Sequence, residues 1–471
     1  MTKTKQYFKN RLIIHLIVFV LITLTIMILV KLSNNKKNNL LIFSYLFNGY
    51  VWLLLFIREV KKRAYSLVMI QWLFCIFFFE LAPLIQYIVG YFPWIITRSE
   101  DVLLRTNLLL IAWTIAVQSG IYLGRYGKRH YCRYIYKPWN NFSGILPILT
   151  IFCLINFLIR AITIGPANMI FRSTNTGISV SSNGSVSMLF SQTTLSLVYF
   201  TAILSLVSYH QNKKNIIWTL LNCTLLLFSY FPTGCARYIV AVIYLGAILT
   251  YFSKFRRDRN FILLFIGAFT IILPFLSAFR IETSSLNIGL ILHNVVINLV
   301  ENWLQFDYDA YTLFTLTLEH VDTFGVGNGI HIISDLFFWV PRSLWPGKAY
   351  SGSYEIAHVR GMFDNLSFPF PALGYMDGGV LGLFIVGIVI GFIMKKIDDL
   401  YWERLDMYGE IFRPIDVLYP SVVIFWFFIC RGDIFYLLAY FVCHIFAWYL
   451  IVFSVKNAKL FAIADTRLAT T

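Results

Sequence analysis

Charge is scarce in this sequence. Only 13% of its 471 residues are Asp, Glu, Lys or Arg, about half the usual share of about 25% in a soluble domain. A soluble chain of this length would spread charged surface over two or three domains, and there is too little charge here to coat them. Disorder, collagen and a disulfide scaffold fall with it. The seven cysteines show no CxxC spacing and mostly lie in apolar runs, so they read as thiols packed as small hydrophobes. Also missing are GxxxxGKS/T, HExxH and the GxSxG nucleophile elbow, any internal repeat and any low-complexity tract.

What the sequence has is apolar surface. Hydrophobic residues make up 58% and aromatics 18%, with a mean hydropathy of +0.71. The fold class this implies is an all-α polytopic membrane protein. A span needs roughly 20 apolar residues, and twelve runs qualify: about 12–31, 38–57, 64–93, 105–124, 143–164, 188–208, 215–231, 237–253, 260–280, 374–394, 414–430 and 434–455. No cleavage site follows the first, which reads as a retained span. An even count puts both termini on one side. The net charge of +16 then becomes a topology signal, because 26 of the 39 basic residues fall in segments assigned to the cytoplasm. A plasma-membrane protein with both termini cytoplasmic is expected, and no nucleic-acid partner. The basic first outer loop, Lys31 to Lys37, runs against this pattern.

Three regions follow: a bundle of about nine spans over 1–280, one outer insertion over 281–373, and three spans with a tail over 374–471. Within the first, loop 165–187 is rich in Ser, Asn and Gly. The insertion holds nine of the 23 carboxylates (Glu282, Glu301, Asp307, Asp309, Glu319, Asp322, Asp335, Glu355, Asp364) and four of the eight histidines (His293, His320, His331, His358). Leu286–Leu299 and Ile330–Val340 have amphipathic helical character, and Trp339 and Trp345 suit the headgroup level.

Ionisable residues inside spans are functional candidates by default, and there are few: Glu80 and Arg160. The polar chemistry gathers at the outer face. Arg172, Arg237, Arg280, Arg342 and Lys348 all lie there, and guanidinium groups are natural bidentate partners of phosphate, so a diphosphate ligand is expected. Each alone fits equally a side chain reaching for a lipid headgroup. The segment Pro341–Gly379 is dense in Pro, Gly and aromatics, which predicts an ordered lining. Glu355, His358 and Asp377 are its candidate general bases. Asp307-Tyr308-Asp309 has the spacing of a metal-binding pair but is short enough to arise by chance. Arg431-Gly432-Asp433 reads as a turn or buried ion pair, and Phe324–Gly329 as a glycine-rich loop with no βαβ context.

Twelve or so spans, the loop before the sixth, the late outer insertion, Pro341-Arg-Ser-Leu-Trp-Pro-Gly-Lys348, Leu373–Gly382 entering a span, and Pro232–Arg237 at the head of another together resemble the Wzy-type polymerases of O-antigen and capsule repeat units. The resemblance covers topology over most of the chain and motifs over about 45 residues. It implies a glycosyltransferase C-like fold and a metal-independent, inverting transfer with no cofactor. Undecaprenyl-diphosphate-linked oligosaccharides would be the substrates, in contact with membrane lipid, with a flippase and a chain-length regulator as partners. It also implies that Arg172, Arg342 and Arg280 hold the diphosphate-sugar. The family's Arg-x10-Gly spacing is not kept: Arg172 to Gly184 encloses 11 residues and Arg342 to Gly352 encloses nine.

The mechanism expected from charge development uses Arg237, Arg280 and Arg342, with Lys348, to stabilise the departing diphosphate. His358, or next Glu282 or Glu355, would take the acceptor proton, and Trp345, Tyr350 and Tyr354 would stack on sugar rings. A ligase shares the topology and outer arginines and differs in its acceptor. A lipid-linked oligosaccharide flippase would instead line a central cavity with polar groups.

Overall fold

The structure is a computed structural model that describes residues 38–94, 99–126, 144–170, 185–213, 216–252, 255, 260–272, 301–362, 366–408 and 414–468. All described elements are helical. Eight of the expected runs form helices long and apolar enough to cross a membrane: α1 (Asn39–Val60), α2 (Leu67–Val89), α3 (Glu100–Arg125), α4 (Leu146–Ile164), α5 (Ser185–Asn212), α12 (Phe370–Tyr408), α13 (Pro414–Arg431) and α14 (Ile434–Leu468). Two more are shorter apolar helices, α6 (Ile216–Ser229) and α7 (Arg237–Tyr251). The run from 260 starts as α8 (Asn260–Gly267) and continues as a π turn to Ile272. The expected first span, 12–31, lies outside the described residues. Three further helices fall in the long insertion: α9 (Ala310–Phe324), α10 (Ile330–Leu336) and α11 (Gly352–Arg360).

Glycine sets the tightest contact in the bundle. Gly120 and Gly124 on α3 face Gly387 and Gly391 on α12, four residues apart on each helix. A Cβ on Gly120 would stand 2.0 Å from the Ile388 carbonyl oxygen, and one on Gly391 2.2 Å from that of Val117. Small residues at this spacing let two membrane helices approach backbone to backbone, where dispersion supplies the attraction that water supplies elsewhere. Gly391→Leu is therefore expected to cost about 3 kcal/mol or more. Thermal unfolding in detergent would register it, whereas Gly144→Ala, with nothing within 4 Å of the added atom, would leave the midpoint unchanged.

α2 is interrupted by a π turn at Ile76–Leu81, where the Ala82 amide reaches back five residues to Phe77. Pro83 follows and has no amide to give, which leaves the ladder free to widen. Glu80 sits in this turn, 1% exposed, against Gly49 of α1 and with neither carboxylate oxygen hydrogen-bonded. Arg160 of α4 donates to Ser191. At the opposite end of the bundle, Asp398 of α12 accepts the Leu67 and Val68 amides at 2.8 and 3.2 Å and the Tyr419 hydroxyl at 2.6 Å. It caps the start of α2 and ties three helices together.

α9 belongs to the core even though it lies within the stretch read as an outer insertion. From Ala310 to Leu318 nearly every side chain is fully buried. The segment alternates Thr with Leu, and Thr315 and Thr317 donate to the carbonyls of Thr312 and Leu313, so their hydroxyls pass for apolar surface. The Tyr45 hydroxyl donates to that of Tyr311, which donates to Asn107. Asn107 in turn donates to Ser44, and these bonds link α1, α3 and α9. α10, α11 and the turn between α13 and α14 share one face, the site face.

Candidate functional site

Two charged clusters lie on the site face. The first is built around His331. The loop Phe324–Gly329 turns sharply, with Gly325, Asn328 and Gly329 at φ +84°, +55° and +88°, a region glycine and asparagine tolerate. Gly327 passes directly over the ring. A Cβ there would lie 2.6 Å from Asp377 and 2.7 Å from His331. Asp377 stands just before a break in α12, at Gly378 and Gly379. Its Oδ2 accepts the Ile332 amide at 2.7 Å and its Oδ1 meets His331 Nδ1 at 2.6 Å, so one carboxylate both caps α10 and holds the ring.

The other ring nitrogen, Nε2, lies 2.8 Å from Glu355 Oε2, and His320 Nε2 lies 3.2 Å from Glu355 Oε1. An imidazole that donates from both nitrogens to carboxylates is an imidazolium. Burial opposes that charge, but the bonds to Asp377 and Glu355 outweigh it and push His331 up to about 9. Glu355 is held down to about 2 by the bonds from His320 and His331. It is also the accessible member, its side chain 38% exposed while His331 is 5% exposed.

Behind this cluster are two buried ionisable groups, Asp335 and Lys348. Asp335, one turn along α10 from His331, has no hydrogen bond to either oxygen. Burial, with the charge of Asp433 added, pushes it up to about 8, so it is a neutral acid at pH 7. Lys348 is buried, donating to the carbonyls of Phe337, Phe338 and Val340 at 2.9–3.0 Å.

The second cluster pairs two arginines with two aspartates. Arg237 opens α7, and just before it Gly234 packs so closely on the short helix Pro166–Ile170 that a Cβ would stand 2.0 Å from the Met169 carbonyl oxygen. Its guanidinium pairs with Asp307. Arg431, ending α13, lies 3.8 Å from Asp307 and 3.5 Å from Asp309. Asp309 is 1% exposed and accepts the Trp94 indole N–H at 2.9 Å. Asp307 and both arginines are partly exposed. The Asp-Tyr-Asp spacing thus serves an ion-pair cluster. Among the described residues no three His, Cys, Asp or Glu side chains are grouped to hold a metal ion.

The turn Arg431-Gly432-Asp433 joins the clusters. Arg431 faces the aspartate pair, while Asp433 accepts the Ser353 hydroxyl and the Phe435 amide, and Ser353 is two residues from Glu355 on α11. Along the exposed side of α11 runs a column of stacked groups. The Arg342 guanidinium lies 3.7 Å over Tyr350, Tyr350 stacks on Tyr354 at 4.7 Å, and Tyr354 on His358 at 6.0 Å.

The sequence-expected residues are therefore sorted as follows. Arg237, Arg342, Tyr350, Tyr354, Glu355 and His358 are at least partly exposed on the site face. Arg342 spends its donors on the carbonyls of Lys348 and Ala349, and the Lys348 ammonium is buried among carbonyls. Trp345 is half-buried and outside the column. His358 is exposed and meets a ring only by stacking. Arg172, Arg280 and Glu282 lie outside the described residues. Sequence reasoning gives no role to His331, His320 or Asp335, which it names only as residues of the insertion; its reading of Arg431-Gly432-Asp433 as a turn or buried ion pair matches the contacts of Arg431 with Asp307 and Asp309. The one local signal was glycine on both sides of the later partner, at 325–329 and 378–379. No protein-family model, curated protein or solved structure matches the chain.

Proposed function

We propose that the protein joins lipid-diphosphate-linked oligosaccharide repeat units into a surface polysaccharide, at the outer face of the plasma membrane, as an inverting glycosyltransferase. The observation that carries this reading is the convergence of two partly exposed guanidinium groups, Arg237 and Arg431, with an accessible carboxylate, Glu355, on one face of a membrane bundle and joined through a single turn. The leaving diphosphate needs cations, and the attacking hydroxyl needs a base.

The chemistry balances without further parts. The acceptor hydroxyl oxygen forms a bond to the anomeric carbon as the bond to the diphosphate oxygen breaks, and its proton passes to Glu355. Two imidazole donors keep Glu355 ionised at pH 7, so it stands ready to accept. It is a weak base, but a hydroxyl bonding to an electron-poor carbon becomes acidic and needs no strong one. The diphosphate leaves as an anion against Arg237 and Arg431, displacing Asp307. Tyr350, Tyr354 and His358 offer flat faces of the kind sugar rings stack upon.

The test is direct. Purified protein in lipid, given lipid-linked repeat units, should yield a ladder of products, and should do so in EDTA. In cells lacking the protein, surface glycan should stop at one repeat. Complete loss of surface glycan would instead indicate a flippase, and long unattached chains a ligase.

A further inference from the structure

Helix α10 is built inside out. Its polar residues, His331, Ser334 and Asp335, face the protein, while Ile330, Ile333 and Leu336 face outward. The pattern continues past its end, where Phe338 and Lys348 are buried but Phe337, Trp339 and Leu344 are exposed, Leu344 to 78%. From 325 to 347 the one charged residue with appreciable exposure is Arg342, which is half-buried and donates to the Lys348 and Ala349 carbonyls. The exposed residues are Val326, Asn328, Ile330, Ile333, Leu336, Phe337, Trp339, Ser343, Leu344 and glycines or prolines. In water this arrangement is the wrong way round, since apolar groups would be hydrated and carboxylates desolvated.

The neighbours of α10 indicate the medium it fits. The Gly327 amide donates to the Met376 carbonyl of α12 at 2.9 Å, and Val326 lies beside Gly379. On α12 the next residues, Val380, Leu381 and Ile385, are 50%, 71% and 53% exposed on a helix apolar and long enough to span. The outward face of α10 therefore continues a surface already turned to lipid.

We infer that residues 326–344 lie within the bilayer leaflet at the site face, the exposed apolar side chains among acyl chains and Trp339 at headgroup depth. A segment of this kind buries its apolar side about 5–10 Å into the interface. The lipid then forms one wall around the His331 cluster, whose accessible member among the described residues is Glu355. Any substrate carrying a lipid chain would reach the cluster along the membrane plane.

The test uses the full chain in bilayer vesicles containing a phospholipid with a photoactivatable diazirine on its acyl chain, and maps the adducts by mass spectrometry. Adducts on Ile333, Leu336, Phe337, Trp339 and Leu344 are expected at levels within about threefold of those on Leu381 and Ile385. The double variant Leu336→Asp, Trp339→Asp should lose labelling over 330–344 while keeping it on α12, which also reports that the bundle still folds. Labelling confined to α12 in the unaltered chain would overturn the inference. So would a lack of lipid adducts on Trp339 in a chain that native mass spectrometry finds paired, which would mean that a second copy covers this face.

Discussion

Arg237→Ala and Arg431→Ala are each expected to lower the rate of repeat-unit transfer by about 10²–10³-fold, the usual cost of losing one donor aimed at developing charge. The effect should fall on kcat, because the diphosphate gains charge as its bond to the sugar breaks. Arg237→Ala is the cleaner experiment. Its partner Asp307 is partly exposed, so water can replace the guanidinium and the fold should survive. Arg431 also stands beside Asp309, which is 1% exposed, and removing it leaves that carboxylate to the Trp94 and Ser367 N–H groups alone. A melting curve must accompany that variant. Asp307→Asn is the informative opposite, since it removes the anion that occupies the arginines at rest. A lower KM with kcat little changed would support displacement of Asp307 by the diphosphate. Unchanged activity in Arg237→Ala would remove this cluster from the reaction.

The second large effect concerns Asp377. Asp377→Asn takes the partner from a buried imidazolium and an N-terminal cap from α10, and breaking a buried pair from one side costs about 3–5 kcal/mol. The pH dependence has a definite sign. His331 is held up to about 9, so its ion pairs stabilise fully below its ordinary value near 6.5 and are lost as pH rises through 9. Asp335 is pushed up to about 8. The folded state therefore holds a proton that the unfolded chain releases, and stability falls from about pH 4 to pH 8. Glu355, held near 2, adds stability that is present above its ordinary value and lost as pH falls toward 2. The melting temperature should thus peak in mildly acidic solution and drop between pH 7 and 9. His331→Gln and Asp335→Asn should each flatten that alkaline fall. A fall equally steep in both variants would mean that other groups cause it.

Local chemistry explains which parts of the fold were legible. Eight long apolar runs emerge as long helices because a hydrophobic stretch of that length has one stable arrangement in lipid, with its backbone bonds closed within the segment. α9 escaped the same reasoning. At 15 residues it is too short to span, and Thr315, Thr317 and Thr323 look polar until their hydroxyls are seen bonded to their own helix. The facing glycines of α3 and α12 were on view as two GxxxG spacings, yet nothing local says which helix meets which.

The sequence by itself determined a helical membrane protein whose polar residues collect in a late segment, because transfer of side chains into hydrocarbon is a property of each residue and adds along the chain. Tertiary structure alone decided which of those residues meet. His331 and Glu355 are 24 residues apart, His331 and Asp377 46, and Arg237 and Asp307 70. A proton shared between such groups, or a carboxylate held near 2 by two imidazoles, depends on distances of about 3 Å. Those distances are set by glycine breaks, helix caps and close-packed helices acting together, and no stretch of sequence contains them. The scarcity of charge had the same double meaning: composition showed that there was little, and packing showed which of it is paired between distant parts of the chain.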